Sequence, residues 1–112
     1  MIYTSEETLK KILSFSQSDY TAISYEAITI GSSVSVLTIP DGARYAKMIL
    51  ESNATGNAIR WLETNQTTVT ASVGMPLDAG GSLDVAGYAN LAGFQVIKDQ
   101  AGTTVLHVAY FK

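Results

Sequence analysis

The chain has 112 residues, a formal net charge of −3, one histidine and no cysteine. An acidic pI of about 4.9 argues against a nucleic-acid binder, whose footprint is a basic patch, and zero cysteine excludes disulfides, thiolate metal sites and cysteine nucleophiles together. The length suits one domain, and a 46% hydrophobic content is enough for one core, while charged residues make up only 15%, against roughly 25% in ordinary soluble domains. That low charge density fits a surface rich in Ser, Thr, Asn, Gln and Gly. It equally fits a surface held against partners, because charge is depleted at interface cores.

Residues 4–15 read as a helix. Thr4 and Glu7 have capping-box spacing, with Ser5 a competing cap. Leu9, Ile12 and Leu13 fall at i, i+3 and i+4 and form one narrow apolar stripe, followed by Phe15. Lys10 and Lys11 sit near the C-terminal end, where the helix dipole favours cations. A helix of this length is marginal alone in water, so it must dock, on its own domain or on a neighbour. Leu9, Ile12, Leu13 and Phe15 are therefore the candidate partner-binding residues. Residues 1–20 are expected to be a helical arm and residues 21–112 a β domain.

From residue 21 onward the pattern is alternation broken by short turns. Residues 22–30 read as a strand with Ile23, Tyr25 and Ala27 on one face. Residues 34–39 read as the next, with Val34 and Val36 on one face and Leu37 and Ile39 on the other, which implies a bulge or burial of both faces. Pro40-Asp41-Gly42 is a turn signal, so residues 34–51 look like a hairpin. Residues 58–63 form a short strand carrying the single tryptophan, Trp61, and residues 69–73 a weak one. Gly74-Met75-Pro76-Leu77 reads as a bend, with Pro76 suited to an edge or corner. Leu83 and Val85 share a strand face, and residues 87–90 read as a turn. Residues 94–98 and 104–111 close the domain, with Leu106, Val108 and Tyr110 opposed to Val105, His107, Ala109 and Phe111. About eight strands with short turns predict an all-β fold, an antiparallel β-sandwich or small barrel.

Little reactive chemistry accompanies this pattern. His107 lies mid-strand, and no G-x-S-x-G accompanies it, so a Ser-His-Asp triad is not expected. No spacing singles out a pair among the ten carboxylates for glycoside hydrolysis. Asp78 and Asp84 flank a Gly-rich turn, but their spacing is not that of an EF-hand loop. No catalytic, cofactor-binding or metal-binding residues are assigned. Trp61 alternates with Ile59, which favours a core position; stacking on a sugar, by Trp61 or by Tyr88, is the alternative. The N-terminal sequence lacks the basic and apolar regions of a signal peptide, and no apolar run approaches ~20 residues, so cytoplasmic synthesis without membrane insertion is expected.

Five tracts occur in a recognisable order: Ile39-Pro40-x-Gly42-Ala43, Ala58-Ile59-Arg60-Trp61, Val73-Gly74-x-Pro76-Leu77-x-Ala79-Gly80, Phe94-x-x-Ile97 and Leu106-His107-Val108-x-Tyr110. Over residues 39–112 the sequence resembles small virion-associated β-sandwich proteins of tailed bacteriophages. It departs from their pattern at residues 63–68, where Glu63-Thr64-Asn65-Gln66-Thr67-Thr68 replaces an Asp-Gly and a Pro-Thr. The resemblance implies a jelly-roll-like sandwich that uses no cofactor. It further implies a structural role as a capsid decoration (cement), head-fibre or tail accessory protein, with the major capsid protein or other virion proteins as partners and the virion as location. A homo-oligomer, a trimer by analogy, would follow. A glycan- or receptor-binding module is the alternative function.

Overall fold

The computed structural model describes residues 20–52, 58–99 and 103–112. The expected helix over residues 4–15, with Leu9, Ile12, Leu13 and Phe15, lies outside the described residues. The described chain is mostly β, with eight strands: β1 (Ala22–Ile30), β2 (Ser35–Val36), β3 (Tyr45–Leu50), β4 (Ile59–Leu62), β5 (Met75–Leu77), β6 (Ser82–Ala86), β7 (Gln95–Lys98) and β8 (Thr104–Phe111), with one short helix, α1 (Tyr88–Gly93), between β6 and β7. They form two four-stranded antiparallel sheets, ordered β1-β8-β3-β6 and β2-β7-β4-β5. The partners are nested: β1 pairs with β8, β2 with β7, β3 with β6 and β4 with β5. The pairs β3–β8 and β4–β7 then join these ribbons side by side.

Period-2 alternation explains the core. Ala46, Met48 and Leu50 from β3, Val85 from β6, and Leu106, Val108 and Tyr110 from β8 are buried on the inner face of the first sheet. They meet Ile59 of β4 and Phe94 and Val96 at β7 on the second. Each large side chain buried this way contributes ~1.5–3 kcal/mol. Trp61 is partly buried against the same cluster, its ring stacked 6.0 Å from that of Phe94.

Several local expectations change. The hairpin over residues 34–51 does not form, because β2 pairs with β7 in the second sheet while β3 pairs with β6 and β8 in the first. Leu37 and Ile39 instead point into the core as the chain crosses between sheets. Ala43 closes the turn after Pro40, with Gly42 at φ 83°. Ile23 does not share a face with Tyr25: the register slips by one between Ala22 and Ser24, turning Ile23 toward the core and Tyr25 out. Residues 69–73 are not a strand, since the Thr70 hydroxyl accepts the Ser72 and Val73 N–H groups and curls the segment. The strand is Met75–Leu77, and Pro76 is tolerated because β5 is an edge. The turn expected at residues 87–90 opens α1, a helix too short for periodicity to reveal; only Leu91 of it is buried.

One polar tie fastens the crossing segment to the first sheet. The Tyr110 hydroxyl donates to Glu26 Oε2 at 2.5 Å, and the same oxygen accepts the Thr38 N–H at 3.1 Å. Burial, then the Glu26 carboxylate, raises the Tyr110 phenol well above its ordinary range. Burial, followed by a hydrogen bond to Asp84, pushes Tyr45 up to about 12. Unfolded tyrosines lose their protons near pH ~10. Both groups therefore contribute full stability below that pH, and the contribution is lost as pH rises through the folded values. Urea denaturation from pH 7 to 12 should show stability falling above pH ~10. Tyr110→Phe should be less stable by about 1.5–3 kcal/mol at pH 7, and its decline at high pH shallower.

Candidate functional site

The two sheets present different outer faces. On the second sheet, residues 63–74 fold back over the strands. Gln95 holds this segment: its Oε1 accepts the Val69 N–H at 3.0 Å, and its Nε2 donates to the carbonyls of Thr64 and Thr67 at 2.6 and 2.5 Å. Val69 and Gln95 are both buried as a result. Where the segment returns to β5, Gly74 has φ 136°, and a Cβ there would lie 2.8 Å from Val69 Cγ2 and 3.2 Å from the Trp61 carbonyl, so only glycine fits. Arg60 adds a bond from Nη1 to the Gly74 carbonyl at 3.2 Å and pairs with Asp99 at 3.8 Å.

Among the described residues, nothing covers the first sheet in that way. Its outer face is formed by Tyr25 and Ala27 of β1, Val105, His107 and Ala109 of β8, and Lys47 and Ile49 of β3, as the pairing register requires. A shallow depression of about 160 Å³ lies there, lined by Tyr25, Lys47, Ile49, His107, Val108 and Ala109. Two large apolar side chains are left open at its rim, Tyr25 at 60% and Ile49 at 48% exposure. For a β8 position in the centre of a sheet, apolar residues on both faces are the pattern of a strand covered on both sides.

A hydrogen-bonded line crosses this face. The Tyr25 hydroxyl lies 2.6 Å from His107 Nδ1, and His107 Nε2 lies 3.4 Å from Glu51 Oε1. The tautomer protonated on Nε2 satisfies both contacts, with Nδ1 accepting from the phenol. The Tyr25 and His107 rings are also nearly parallel, with centroids 6.0 Å apart. Among the described residues this line lies at the surface, where such pairs contribute little stability. At the other end of the face the aromatic rings of Tyr20, Tyr45 and Phe111 follow one another at 4.9 and 5.4 Å, with the Arg44 guanidinium 5.1 Å from the Tyr20 centroid. The described chain thus begins with Tyr20 lying on this same face.

The residues singled out from sequence are not brought together. Trp61 packs against the core and its Nε1 is buried with no hydrogen-bond partner, whereas Tyr88 is 63% exposed at the start of α1. His107 is on the outer face of the first sheet. Asp84 stands opposite Lys47 in the β3–β6 register, and no group of three His, Asp or Glu among the described residues is placed to hold a metal ion. Among the same residues no helix is long and apolar enough to cross a membrane. Local pattern does not mark Tyr25 and Ile49 as one surface patch; the doubly apolar β8 sequence is the only signal of it.

Comparison with protein-family models, with curated proteins and with solved structures finds no match to this chain.

If the Tyr25–His107–Glu51 line is a surface feature, Tyr25→Phe should shift folding stability by no more than ~0.5 kcal/mol. It should still alter the His107 ring-nitrogen chemical shifts, because Nδ1 loses its donor. Chemical denaturation and nitrogen NMR of the imidazole check the two halves of this expectation.

Proposed function

We propose that the chain is a non-enzymatic structural protein of a tailed-phage virion, a capsid decoration (cement) or head–tail accessory protein that works through protein–protein contacts. The observation that carries this reading is the nested strand order, β1-β8-β3-β6 facing β2-β7-β4-β5. It is the order expected of an eight-stranded jelly-roll sandwich, an architecture that recurs in viral capsid and lectin domains. The tracts that resemble phage virion proteins map onto this frame: Ile39–Ala43 is the crossing between sheets, Ala58–Trp61 leads into and forms most of β4, Val73–Gly80 contains β5, and Leu106–Tyr110 is the middle of β8. Fold alone does not decide function, and the low charge content adds weight on the side of contacts with other proteins.

A scaffold of this kind acts mechanically. The core makes the two layers rigid, and apolar positions exposed on the second sheet, Val36 and Met75, supply adhesion to capsomers. Homo-oligomers close by symmetry as a rule, and a trimer would suit threefold lattice points. Lectins share the architecture, so glycan binding is the competing reading. The packing of Trp61 against Phe94 weighs against that residue as a sugar platform and leaves Tyr88 as its exposed aromatic.

Quantitative mass spectrometry of purified virions tests the proposal. The protein is expected at a copy number comparable to the major capsid protein for a decoration role, or at a few copies for a vertex, neck or tail role. Its absence from virions would overturn the proposal. Trp61→Ala then separates the competitor: lost stability without a glycan phenotype agrees with a core role, and lost glycan binding with an intact fold favours the lectin-like reading.

A further inference from the structure

The open outer face of the first sheet needs an occupant, and the chain carries one of matching size. We infer that residues 4–15 of the same subunit dock on this face, with Leu9, Ile12 and Leu13 laid over Tyr25, Ile49 and Ala109. The inference stands on the sheet face and on the N-terminal sequence, and does not depend on the virion reading.

Three observations converge on that occupant. The first is position. The Tyr20 ring lies tilted against that of Tyr45, which faces outward beside Phe111, so the chain leaves the described domain on the face in question. Its backbone is anchored there by paired hydrogen bonds between Thr21 and Lys112 at 2.8 and 2.9 Å.

The second is reach. The depression lies four residues along β8 from Phe111, at His107, which is about 14 Å at the rise of a strand. The residues between Phe15 and Tyr20 span up to about 17 Å when extended. A helix of twelve residues is about 18 Å long and about 10–12 Å across with its side chains. The outer strands of the β1-β8-β3 group are about 10 Å apart. A single helix therefore fits across these three strands without slack.

The third is area. The patch across these strands covers on the order of 140 Å², from two strand spacings and four residues of rise. A stable contact between two subunits needs ~800 Å² on each partner. The patch is too small to be a subunit interface by itself and suits one amphipathic helix. Small residues at Ala27 and Ala109 let such a helix approach the sheet closely, while Tyr25 and Ile49 flank it as ridges. The stripe Leu9, Ile12, Leu13 is narrow, and so is the depression. Glu7, Lys10 and Lys11 project away from the stripe and stay in water.

The sequence has no cysteine, so introduced pairs report without interference. Cysteines placed at position 9, 12 or 13 in turn, each combined with Ile49→Cys or Ala109→Cys in the full chain, should give a disulfide within one monomer under mild oxidation. A second readout uses trypsin at Lys10 and Lys11. Ile49→Glu puts a charge under the docked stripe and should raise the cleavage rate there about tenfold while the domain stays folded. Monomeric disulfides with accelerated cleavage support the inference. Disulfide-linked dimers at low protein concentration would overturn docking within one subunit and assign the segment to a second copy. Free thiols in every pair, or equal cleavage of the Ile49→Glu and unaltered proteins, would overturn the docking altogether.

Discussion

The structure depends on β8. This strand lies between β1 and β3, so it holds the first sheet together on both sides. It is also apolar on both faces. Leu106, Val108 and Tyr110 form the inner row and are buried against the second sheet. Val105, Ala109 and Phe111 form the outer row, interrupted only by His107. A strand that pairs on two edges and is apolar on two faces must be covered on both of those faces, because exposed apolar area is worth about 25 cal/mol per Å² when removed from water.

The rest of the architecture follows from satisfying that strand. Nested pairing brings the second sheet over its inner row, and in the crossing at residues 37–43 the Thr38 N–H is taken by Glu26 and the Ala43 N–H by Pro40. The second sheet has its own outer cover, the 63–74 segment clamped by Gln95. The asymmetry between a sheet roofed by its own loop and a sheet with an open apolar face is what directs attention to the N-terminal segment. The polar line from Tyr25 through His107 to Glu51 then has a plain role, which is to orient the one imidazole on this face.

Much of this was legible in the residues. Strict alternation marked β8 and the span of β1, separated the two rows of β8 and put Leu83 and Val85 of β6 on one face, because each row meets a single environment. The signals failed where long-range packing overrode local pattern. Pro40-Asp41-Gly42 is a genuine turn, but it joins strands in different sheets, and nothing local distinguishes that from a hairpin. Thr70 diverted residues 69–73 from strand to turn through its hydroxyl, and Pro76 masked a strand that is permissible only at an edge. The α1 helix has a single buried residue, Leu91, too little for a periodic signal. The apolar face of the first sheet was readable from β8 alone, yet its aromatic rim needed the register that places Tyr20, Tyr45 and Phe111 in one row.

The central claim is that both faces of β8 are covered in the intact protein. Paramagnetic relaxation of methyl groups by an inert soluble probe measures that cover directly. In the full chain, the methyls of Ile49, Val105 and Ala109 are predicted to relax far more slowly than those of Val36, which is 64% exposed on the opposite sheet. Relaxation at Ile49 and Ala109 as fast as at Val36 would contradict the account.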